Sequence, residues 1–308
     1  MTARSGQAPR TTAVDAVLLL DKPAGMTSQT AVTGVKKLFN AAKAGHTGTL
    51  DPMATGLLPV ALGEATKFSS VLLNASKSYL ATIRLGTTTT TGDLEGEVRK
   101  TCAVVVEPEQ IERVLARFRG ETVQTPPMYS ALKHAGKPLY RYAREGKEIA
   151  REARPISITR LTLEAMRGVD LEVTVECSKG TYVRVLAEDI GSALGCGACL
   201  AALRRTRVGG FGIARAVGLD ALAAMSATER DRCLLPVDAL LADVPSLGLD
   251  PDEANHIMNG RAIDCQRAPH GTLVRLYGPD RTFLGLAEAG AAGRVQPRRL
   301  VAQKSANS

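Results

Sequence analysis

A single carboxylate, that of Asp51, lies in a segment rich in glycine and threonine, residues 45–56 (GHTGTLDPMATG). His46 precedes it by five residues, and Pro52 follows it directly and restricts the local backbone. Core packing rarely demands so many small and hydroxylated residues around one acid, whereas a site for a flat polar ligand could. An aspartate is ordinarily ionised at neutral pH, and an ionised carboxylate in an accessible loop can act as a nucleophile.

Two other interpretations of this segment require no catalysis. Gly-rich turns expose backbone N–H groups that can cradle a phosphate. That interpretation is weak, because the pattern G-x-x-x-x-G-K-[ST] is absent from the sequence and the segment centres on an acid. A turn or a helix N-cap is the ordinary role of an isolated Asp beside Gly.

The bulk composition is that of a folded, basic protein. The chain has 308 residues, of which 44% are hydrophobic, enough for a large core and for two domains. Lys and Arg outnumber Asp and Glu by 39 to 31, so the formal net charge is +8. This excess suits a polyanionic partner, with nucleic acid the leading candidate, although a merely basic soluble protein fits the charge as well.

Membrane and disulfide signatures are absent from the sequence. No apolar run reaches the ~20 residues that span a bilayer, and residues 1–10 lack the apolar core of a signal peptide. We therefore expect a flexible arm at residues 1–10, a cytoplasmic location and no membrane partner. Cys196 and Cys199 form one C-x-x-C pair, but no second pair or His lies at zinc-finger spacing, so ordinary thiols are expected.

Hydrophobic periodicity predicts the elements that must position these residues. Apolar or alternating runs predict strands at residues 17–20, 79–85, 156–163 and 171–176. Helical spacing predicts a helix capped by Thr27 or Ser28, and further helices at residues 107–118 and 185–194. The five threonines of residues 87–91 fit either an extended edge or a polar loop over a site.

Residues 125–151 combine cations with aromatic side chains. Bases outnumber acids there, and three of the six tyrosines are interleaved with the bases: Lys133, Lys137, Arg141, Arg144, Lys147, Arg151, Tyr129, Tyr140 and Tyr142. Cations neutralise phosphates and aromatic faces stack on bases, so the segment is predicted to grip RNA. The alternative is a solvated amphipathic helix at residues 139–144.

The composition changes at residues 243–250, where Pro and Gly cluster, and a domain boundary is predicted there. Beyond it, the pattern predicts a short helix at residues 252–258 and strands at residues 273–277, 283–288 and 295–301. These spacings indicate a compact β-rich unit of roughly 60 residues.

Five separated stretches resemble, in order, the motifs of the TruB family of tRNA pseudouridine synthases: LDKP and GMTS within 20–28, the Asp51 segment, KSY and RLG within 77–86, PMYSALK at 127–133 and SKGTYVR at 178–184. The resemblance covers roughly residues 18–205. The tail from Asp250 more loosely resembles the small RNA-binding PUA-like domain that family members often carry. One departure is the uniform Thr tract at 87–91, where the family often has an acid, although Asp93 still aligns.

The predicted elements and the resemblance together imply an α+β fold. We expect a catalytic domain over residues 11–245, built on a mixed, mainly antiparallel sheet with flanking helices. Residues 125–151 are expected to form an RNA-gripping insertion in it. A small β-rich PUA-like domain is expected over residues 246–308. The resemblance implies neither a metal nor a cofactor.

The resemblance also implies the catalytic residues. Asp51 matches the family's nucleophile, and Arg184 is expected to be its ionic partner. Tyr79 is expected to stack on the flipped uracil, and its hydroxyl to take part in proton transfer. Without the resemblance, Tyr79 would be an ordinary core aromatic and Arg184 a surface arginine.

Five further residues are expected to bind the substrate. His46 matches the histidine that holds the distorted RNA loop. Tyr182 and Leu203 are expected to wall the pocket, although a plain core role is nearly as well supported. Asp93 and Lys22 complete the set, and Lys22 fits support of the loop better than chemistry.

The resemblance implies that the protein isomerises uridine 55 in the T loop of tRNA. The expected partner is the T arm of tRNA, bound by a monomer without a guide RNA. A tRNA-binding folding factor with secondary or lost catalysis is the alternative, and a guide-dependent synthase is a third possibility. The presence of Asp51, Tyr79 and Arg184 favours the enzyme.

Overall fold

Two β-sheets organise the fold in the computed structural model, which describes residues 14–302. The flexible arm predicted for residues 1–10 lies outside the described residues. The first fifteen strands are β1 (Ala16–Lys22), β2 (Ala44–His46), β3 (Thr55–Leu62), β4 (Lys77–Leu85), β5 (Thr87–Thr89), β6 (Val98–Thr101), β7 (Gly120–Gln124), β8 (Lys133–His134), β9 (Lys137–Pro138), β10 (Arg154–Arg167), β11 (Asp170–Cys177), β12 (Ala198–Val208), β13 (Phe211–Gly212), β14 (Val217–Gly218) and β15 (Leu234–Leu235).

The remaining strands belong to the C-terminal part of the chain: β16 (Ser246–Gly248), β17 (Ile263–Asp264), β18 (Thr272–Tyr277), β19 (Phe283–Ala289) and β20 (Arg294–Leu300). The α-helices among the described residues are α1 (Ser28–Leu38), α2 (Ser69–Leu73), α3 (Pro108–Arg117), α4 (Leu139–Arg144), α5 (Val183–Ala193), α6 (Leu219–Ala224), α7 (Ala227–Arg232) and α8 (Pro251–Met258).

The first sheet is mixed and mainly antiparallel. Within residues 14–302 it has the order β14-β1-β3-β12-β4-β11-β10-β7, with β2, β13 and β15 paired at its sides. The pairs β1–β14 and β3–β12 are parallel, and the other pairs of the sheet are antiparallel. The α+β prediction is therefore confirmed for this sheet.

Strand β4 shows how the sequence builds the core beneath the site. Tyr79, Ala81 and Ile83 alternate with Leu80, Thr82 and Arg84, and the first three are buried on the face covered by α3 and α5. Leu80 points to the opposite face and is exposed, as expected for an antiparallel sheet with one solvated side. The alternation predicted for residues 79–85 thus sets the face on which the pocket lies.

The second sheet forms the β-rich C-terminal unit. Its order is β16-β18-β19-β20-β17, and its core includes Val274, Leu276 and Ile257 of α8. Helix α8 begins with a reciprocal capping box between Asp250 and Glu253. The helix and the strands predicted beyond residue 250 are all present, within one or two residues of their predicted ends.

The two sheets share an apolar junction. Phe283 and Leu286 of β19 pack in one cluster with Phe68 and Leu240, and the rings of Phe68 and Phe283 meet edge to face with centroids 5.3 Å apart. A hydrogen bond also crosses this junction: Lys67 Nζ donates to the Leu300 carbonyl at 2.9 Å. The C-terminal unit is therefore packed against the first sheet in this structure.

One central strand of the fold was not predicted, and the structure shows how the threonine tract relates to the two alternatives given for it. Residues 55–62 received no predicted element, yet they form the central strand β3, although Pro59 cannot donate a ladder hydrogen bond. The threonine tract is partly an extended edge and partly a loop. Residues 87–89 form β5 and pair with β6, and residues 90–91 continue as a loop.

Candidate active site

Asp51 lies in the loop that joins β2 to β3, and its neighbours are held by hydrogen bonds from α1. Ser28 Oγ accepts from the Leu50 N–H at 2.8 Å and donates to the Leu50 carbonyl at 3.0 Å. The Gly25 N–H donates to the Pro52 carbonyl at 2.9 Å. The backbone on both sides of Asp51 is thus fixed, while its own side chain remains 38% exposed.

Lys22 supports this loop from below. It is fully buried, and its Nζ donates to the carbonyls of Pro23 (2.8 Å), Met26 (2.8 Å) and Pro52 (3.3 Å). Burial lowers the pKa of Lys22 to about 8, against the opposing field of Asp51. All three hydrogen bonds of the ammonium group go to backbone carbonyls, and the expected substrate contact of Lys22 stays a prediction. Its geometry is that of the loop support.

The Asp51 carboxylate is paired with a buried arginine. Arg184, the second residue of α5, is 5% exposed, and its Nε donates to Asp51 Oδ2 at 3.0 Å. Its Nη1 donates to the Thr91 carbonyl at 2.8 Å and its Nη2 to the Tyr129 carbonyl at 2.7 Å. Because every nitrogen of the guanidinium is engaged, the carboxylate faces a positive charge of defined orientation.

Asp93 supplies a second carboxylate to the same arginine. Its Oδ2 lies 3.6 Å from Arg184 Nε, and its Oδ1 accepts from the Thr91 hydroxyl and from the Glu95 N–H at 3.1 Å. Asp93 is only 4% exposed. In the free protein Asp93 anchors the loop after the threonine tract and faces Arg184, and its expected substrate contact stays a prediction.

Tyr79 and Leu203 line the sheet side of the site. Both are 9% exposed and belong to one apolar cluster with Leu50, the residue before Asp51. Burial raises the pKa of Tyr79 to about 12, although the neighbouring Arg205 opposes this rise. The phenol is therefore protonated in the free protein at neutral pH.

His46 stands at the start of the Asp51 loop. Its Nδ1 accepts a hydrogen bond from the Gly48 N–H at 3.3 Å, so the proton of the neutral ring is on Nε2. Burial, and then the positive charge of Arg205, lower the pKa of His46. The ring is therefore neutral at pH 7 and offers Nε2–H as a donor.

Tyr182 caps α5 beside Arg184 and is clamped by Gln124. The Tyr182 N–H donates to Gln124 Oε1 at 2.7 Å, and Gln124 Nε2 donates back to the Tyr182 carbonyl at 3.1 Å. Burial raises the pKa of the half-buried Tyr182 phenol. This clamp joins the end of β7 to the start of α5 and so fixes the position of Arg184.

Arg205 was not identified from the sequence, yet it lies directly beneath the loop. Its Nε donates to the Leu57 carbonyl at 2.7 Å, and the side chain is 1% exposed. Gly56 lies against it with φ +103°, where an added Cβ would stand 2.3 Å from the Arg205 carbonyl oxygen. The available sequence signal was the pair Arg204-Arg205 in a strand, because one of two successive residues must face inward.

The predicted RNA-gripping segment is a small self-packed unit. Strands β8 and β9 form a hairpin with positive φ at Ala135 and Gly136, and α4 follows it directly. Lys137 Nζ lies 4.6 Å from the centroid of the Tyr142 ring and pairs with Glu145. The unit is attached to the site, because Arg184 binds the backbone of Tyr129 at its start.

Other classes of site find no support in the described part of the chain. Within residues 14–302, no group of three or more His, Cys, Asp or Glu side chains is placed to hold a metal ion. No described helix combines the length and the apolar character needed to cross a membrane.

Solved structures with the same architecture place the chain in a class. Over 94% of its length it matches a chain of the "Cbf5-Nop10-Gar1 Complex", with 27% identity, a TM-score of 0.70 and 84% of that chain covered. It also matches a chain of the "archaeal box H/ACA sRNP Nop10-Cbf5 complex", with 25% identity, a TM-score of 0.71, 92% of this chain and 85% of that chain. The chain therefore belongs to the same fold class as these chains, both of which come from complexes that contain Cbf5.

Sequence comparison gives the family. The description "TruB family pseudouridylate synthase (N terminal domain)" matches residues 36–183, and two TruB C-terminal descriptions match residues 184–242 and 245–301. A protein of Azoarcus sp. (strain BH72) named "tRNA pseudouridine synthase B" is 56% identical over 95% of this chain and 96% of its own. One of the same name from Methylobacillus flagellatus is 52% identical over 94% and 96%. The chain belongs to the TruB family of pseudouridylate synthases, which confirms both the resemblance and the expectation of an isomerase.

Proposed function

We propose that this protein converts uridine 55 in the T loop of tRNA into pseudouridine, with Asp51 as the nucleophile. The observation that carries the proposal is the Asp51–Arg184 pair, in which an accessible carboxylate is held at 3.0 Å by a buried guanidinium. The relatives named tRNA pseudouridine synthase B support tRNA as the substrate. A charged nucleophile oriented by a fixed cation is what attack on a nucleotide requires.

The reaction exchanges one bond for another within the nucleotide. The bond between ribose C1′ and uracil N1 breaks, the uracil turns, and a bond between C1′ and C5 forms. The proton on C5 leaves and N1 gains one, so no external reductant or oxidant is consumed. Asp51 forms a transient covalent bond with the nucleotide, and its position is compatible with attack at the sugar or at the base.

Arg184 and Tyr79 serve this chemistry in different ways. Arg184 orients the Asp51 carboxylate, because its other nitrogens donate to the Thr91 and Tyr129 carbonyls and so hold the guanidinium in place. Tyr79 lies in the apolar wall next to Leu203, where its ring can stack on the flipped uracil. Its hydroxyl is proposed to relay the C5 proton, because it can pass its own proton to water as it receives the one that leaves C5.

Binding of the T arm uses surfaces around the pocket. His46 offers Nε2–H to the RNA loop, Tyr182 and Leu203 wall the base pocket, and the cations of residues 125–151 face the phosphates. The β-rich C-terminal unit, proposed as a PUA-like domain from residue 246, supplies a second RNA-binding surface. We propose a monomer that acts without a guide RNA.

The deciding experiment uses purified protein and an unmodified tRNA transcript, with no other RNA added. We expect one pseudouridine per tRNA at position 55, and none in a transcript with cytidine at that position. A guide-dependent synthase would leave the bare transcript unmodified. A folding factor would bind the transcript and assist its folding equally well with Asp51 replaced by Asn.

A further inference from the structure

Arg205 of β12 is a buried cation to which the proposed reaction assigns no role. It is 1% exposed, and its guanidinium donates to three backbone carbonyls, those of Leu57 (2.7 Å), Gly48 (3.1 Å) and Thr49 (3.3 Å). Gly48 and Thr49 precede Asp51, whereas Leu57 lies beyond it in β3. A single side chain therefore binds both ends of the loop that carries the nucleophile.

These contacts contain no counter-ion. Among the described residues, Arg205 hydrogen-bonds to three backbone carbonyls and to the Tyr79 side chain, and no carboxylate is paired with it. Burying a cation without a carboxylate costs stability compared with an apolar side chain of similar volume. The charge of Arg205 and the way its guanidinium binds three carbonyls point to a role in the site rather than to a role in core packing.

The second contact of Arg205 is with Tyr79. The two residues face each other directly in the antiparallel pair of β12 and β4, so their side chains share one side of the sheet. The field of Arg205 opposes the rise in the pKa of Tyr79 caused by burial. Arg204, the preceding residue of the strand, faces the other way and pairs with Asp21 through both of its Nη atoms.

We propose that Arg205 is a positioning residue that ties the Asp51 loop to the strand carrying Tyr79. Its guanidinium keeps the Asp51 loop and the Tyr79 phenol at a fixed separation, and its charge lies beside the phenol that is proposed to relay the C5 proton. The inference rests on the proposed function, because it assigns to Tyr79 the proton transfer proposed above. Misplacement of the loop by a fraction of an ångström would slow the reaction without removing any group that contacts RNA.

The test compares Arg205→Met and Arg205→Lys with the matched controls Arg204→Met and Arg204→Lys. We expect single-turnover pseudouridine formation to fall about 100-fold in Arg205→Met and about tenfold in Arg205→Lys, while the Kd for tRNA changes less than about threefold. The Arg204 variants should keep the wild-type rate. Amide hydrogen exchange at residues 47–57 should be faster in both Arg205 variants than in the controls.

Each outcome decides the inference. A folded Arg205→Met protein with the wild-type rate, or with wild-type exchange in the loop, overturns it, as does an equal loss in the Arg204 controls. If Arg205→Met does not fold, Arg205→Lys decides by the same criteria, since Lys22 and Lys77 already bury ammonium groups on backbone carbonyls in this fold. A wild-type protein that is inactive on bare tRNA contradicts the proposed function instead. The hydrogen-exchange measurement then still tests whether Arg205 holds the Asp51 loop in place.

Discussion

At the scale of single residues, the site pairs an accessible carboxylate with a buried cation. The Asp51 side chain is 38% exposed, whereas its partner Arg184 is 5% exposed. A substrate can therefore approach the carboxylate. The cation that orients it is buried away from water, and electrostatic interactions are stronger in the protein interior than in water. This asymmetry favours Asp51 as the group that reacts and Arg184 as the group that holds it.

Replacement of Asp51 by Asn should abolish pseudouridine formation, because the amide keeps the shape but loses the nucleophilic charge. We expect a loss of at least about 1,000-fold in the single-turnover rate and a tRNA Kd within about threefold of the wild type. Asp220→Asn, on exposed α6 surface, is the matched control. Turnover by Asp51→Asn comparable to the control would remove Asp51 from the role of nucleophile.

Replacement of Arg184 by Lys should impair catalysis more than folding. A lysine cannot satisfy Asp51 and the two carbonyls in the fork geometry of the guanidinium, so we expect a rate loss of about 100-fold. Rates and thermal melting are measured together. The control is Arg84→Lys, which removes an equivalent fork to Asp170 away from the site. Equal rates for the two variants would contradict the assigned partnership.

At the scale of elements, the hairpin β8–β9 and helix α4 form the proposed RNA grip. Lys133, Arg141 and Arg144 are exposed, whereas Lys137 is half-buried and paired with Glu145. Tyr142 is partly used inside the unit, since its hydroxyl donates to the His134 carbonyl at 3.3 Å. The exposed cations are therefore the residues best placed to meet phosphates.

Neutralising Lys133, Lys137, Arg141 and Arg144 together should flatten the salt dependence of tRNA binding. Each lost phosphate contact reduces the slope of log affinity against log salt by about 0.7 for a single strand. Binding is measured from about 50 to 200 mM salt for the wild type, the fourfold variant and a Lys36→Ala/Lys37→Ala control on exposed α1 surface. A fourfold variant with the wild-type slope would show that these cations face solvent in the complex.

At the scale of the whole molecule, Glu64 connects the catalytic sheet to the C-terminal unit. Its carboxylate accepts from Lys67 Nζ at 2.5 Å and from the Ala302 N–H at 2.6 Å. Burial by itself would raise the pKa of Glu64, but the hydrogen bonds from Lys67, Ala302 and Lys43 outweigh it and lower the pKa to about 2. The junction thus depends on the ionised form of one acid.

Glu64→Gln should destabilise the protein at neutral pH by about 1–2 kcal/mol. Because the pKa of Glu64 is lowered by folding, its contribution is complete above pH 4.5 and is lost as the pH falls from 4.5 towards 2. Urea unfolding at several pH values, with exposed Glu121→Gln as the control, measures the difference. A difference between wild type and Glu64→Gln that does not shrink below pH 4.5 would contradict this role.

Much of the fold followed from local patterns. The patterns of residues 79–85, 107–118 and 252–258 predicted their elements, because periodicity reports directly which face of an element is buried. Strand β3 was missed because its glycine and proline are typical of loops, and only pairing with β1 and β12 stabilises it as a strand.

The site residues also fall into those that the sequence predicted and those that it did not. The ordered motifs predicted Asp51, Tyr79 and Arg184 as site residues, because the chemistry proposed for them requires particular residue types. They did not identify the buried places of Lys22 and Asp93, whose partners are backbone groups and a neighbouring ion pair. A backbone carbonyl is present at every position, so the sequence carries no signal of which one a cation will meet.

The choice between Arg204 and Arg205 is the clearest case. The sequence shows two arginines in succession, and strand geometry requires that they face opposite sides of the sheet. Which of them lies under the Asp51 loop depends on the register of β12 against β3 and β4, set by pairings between residues more than a hundred positions apart. The residue types follow from the chain alone, whereas their side of the sheet follows from long-range pairing, because a shift of one residue would exchange the two arginines.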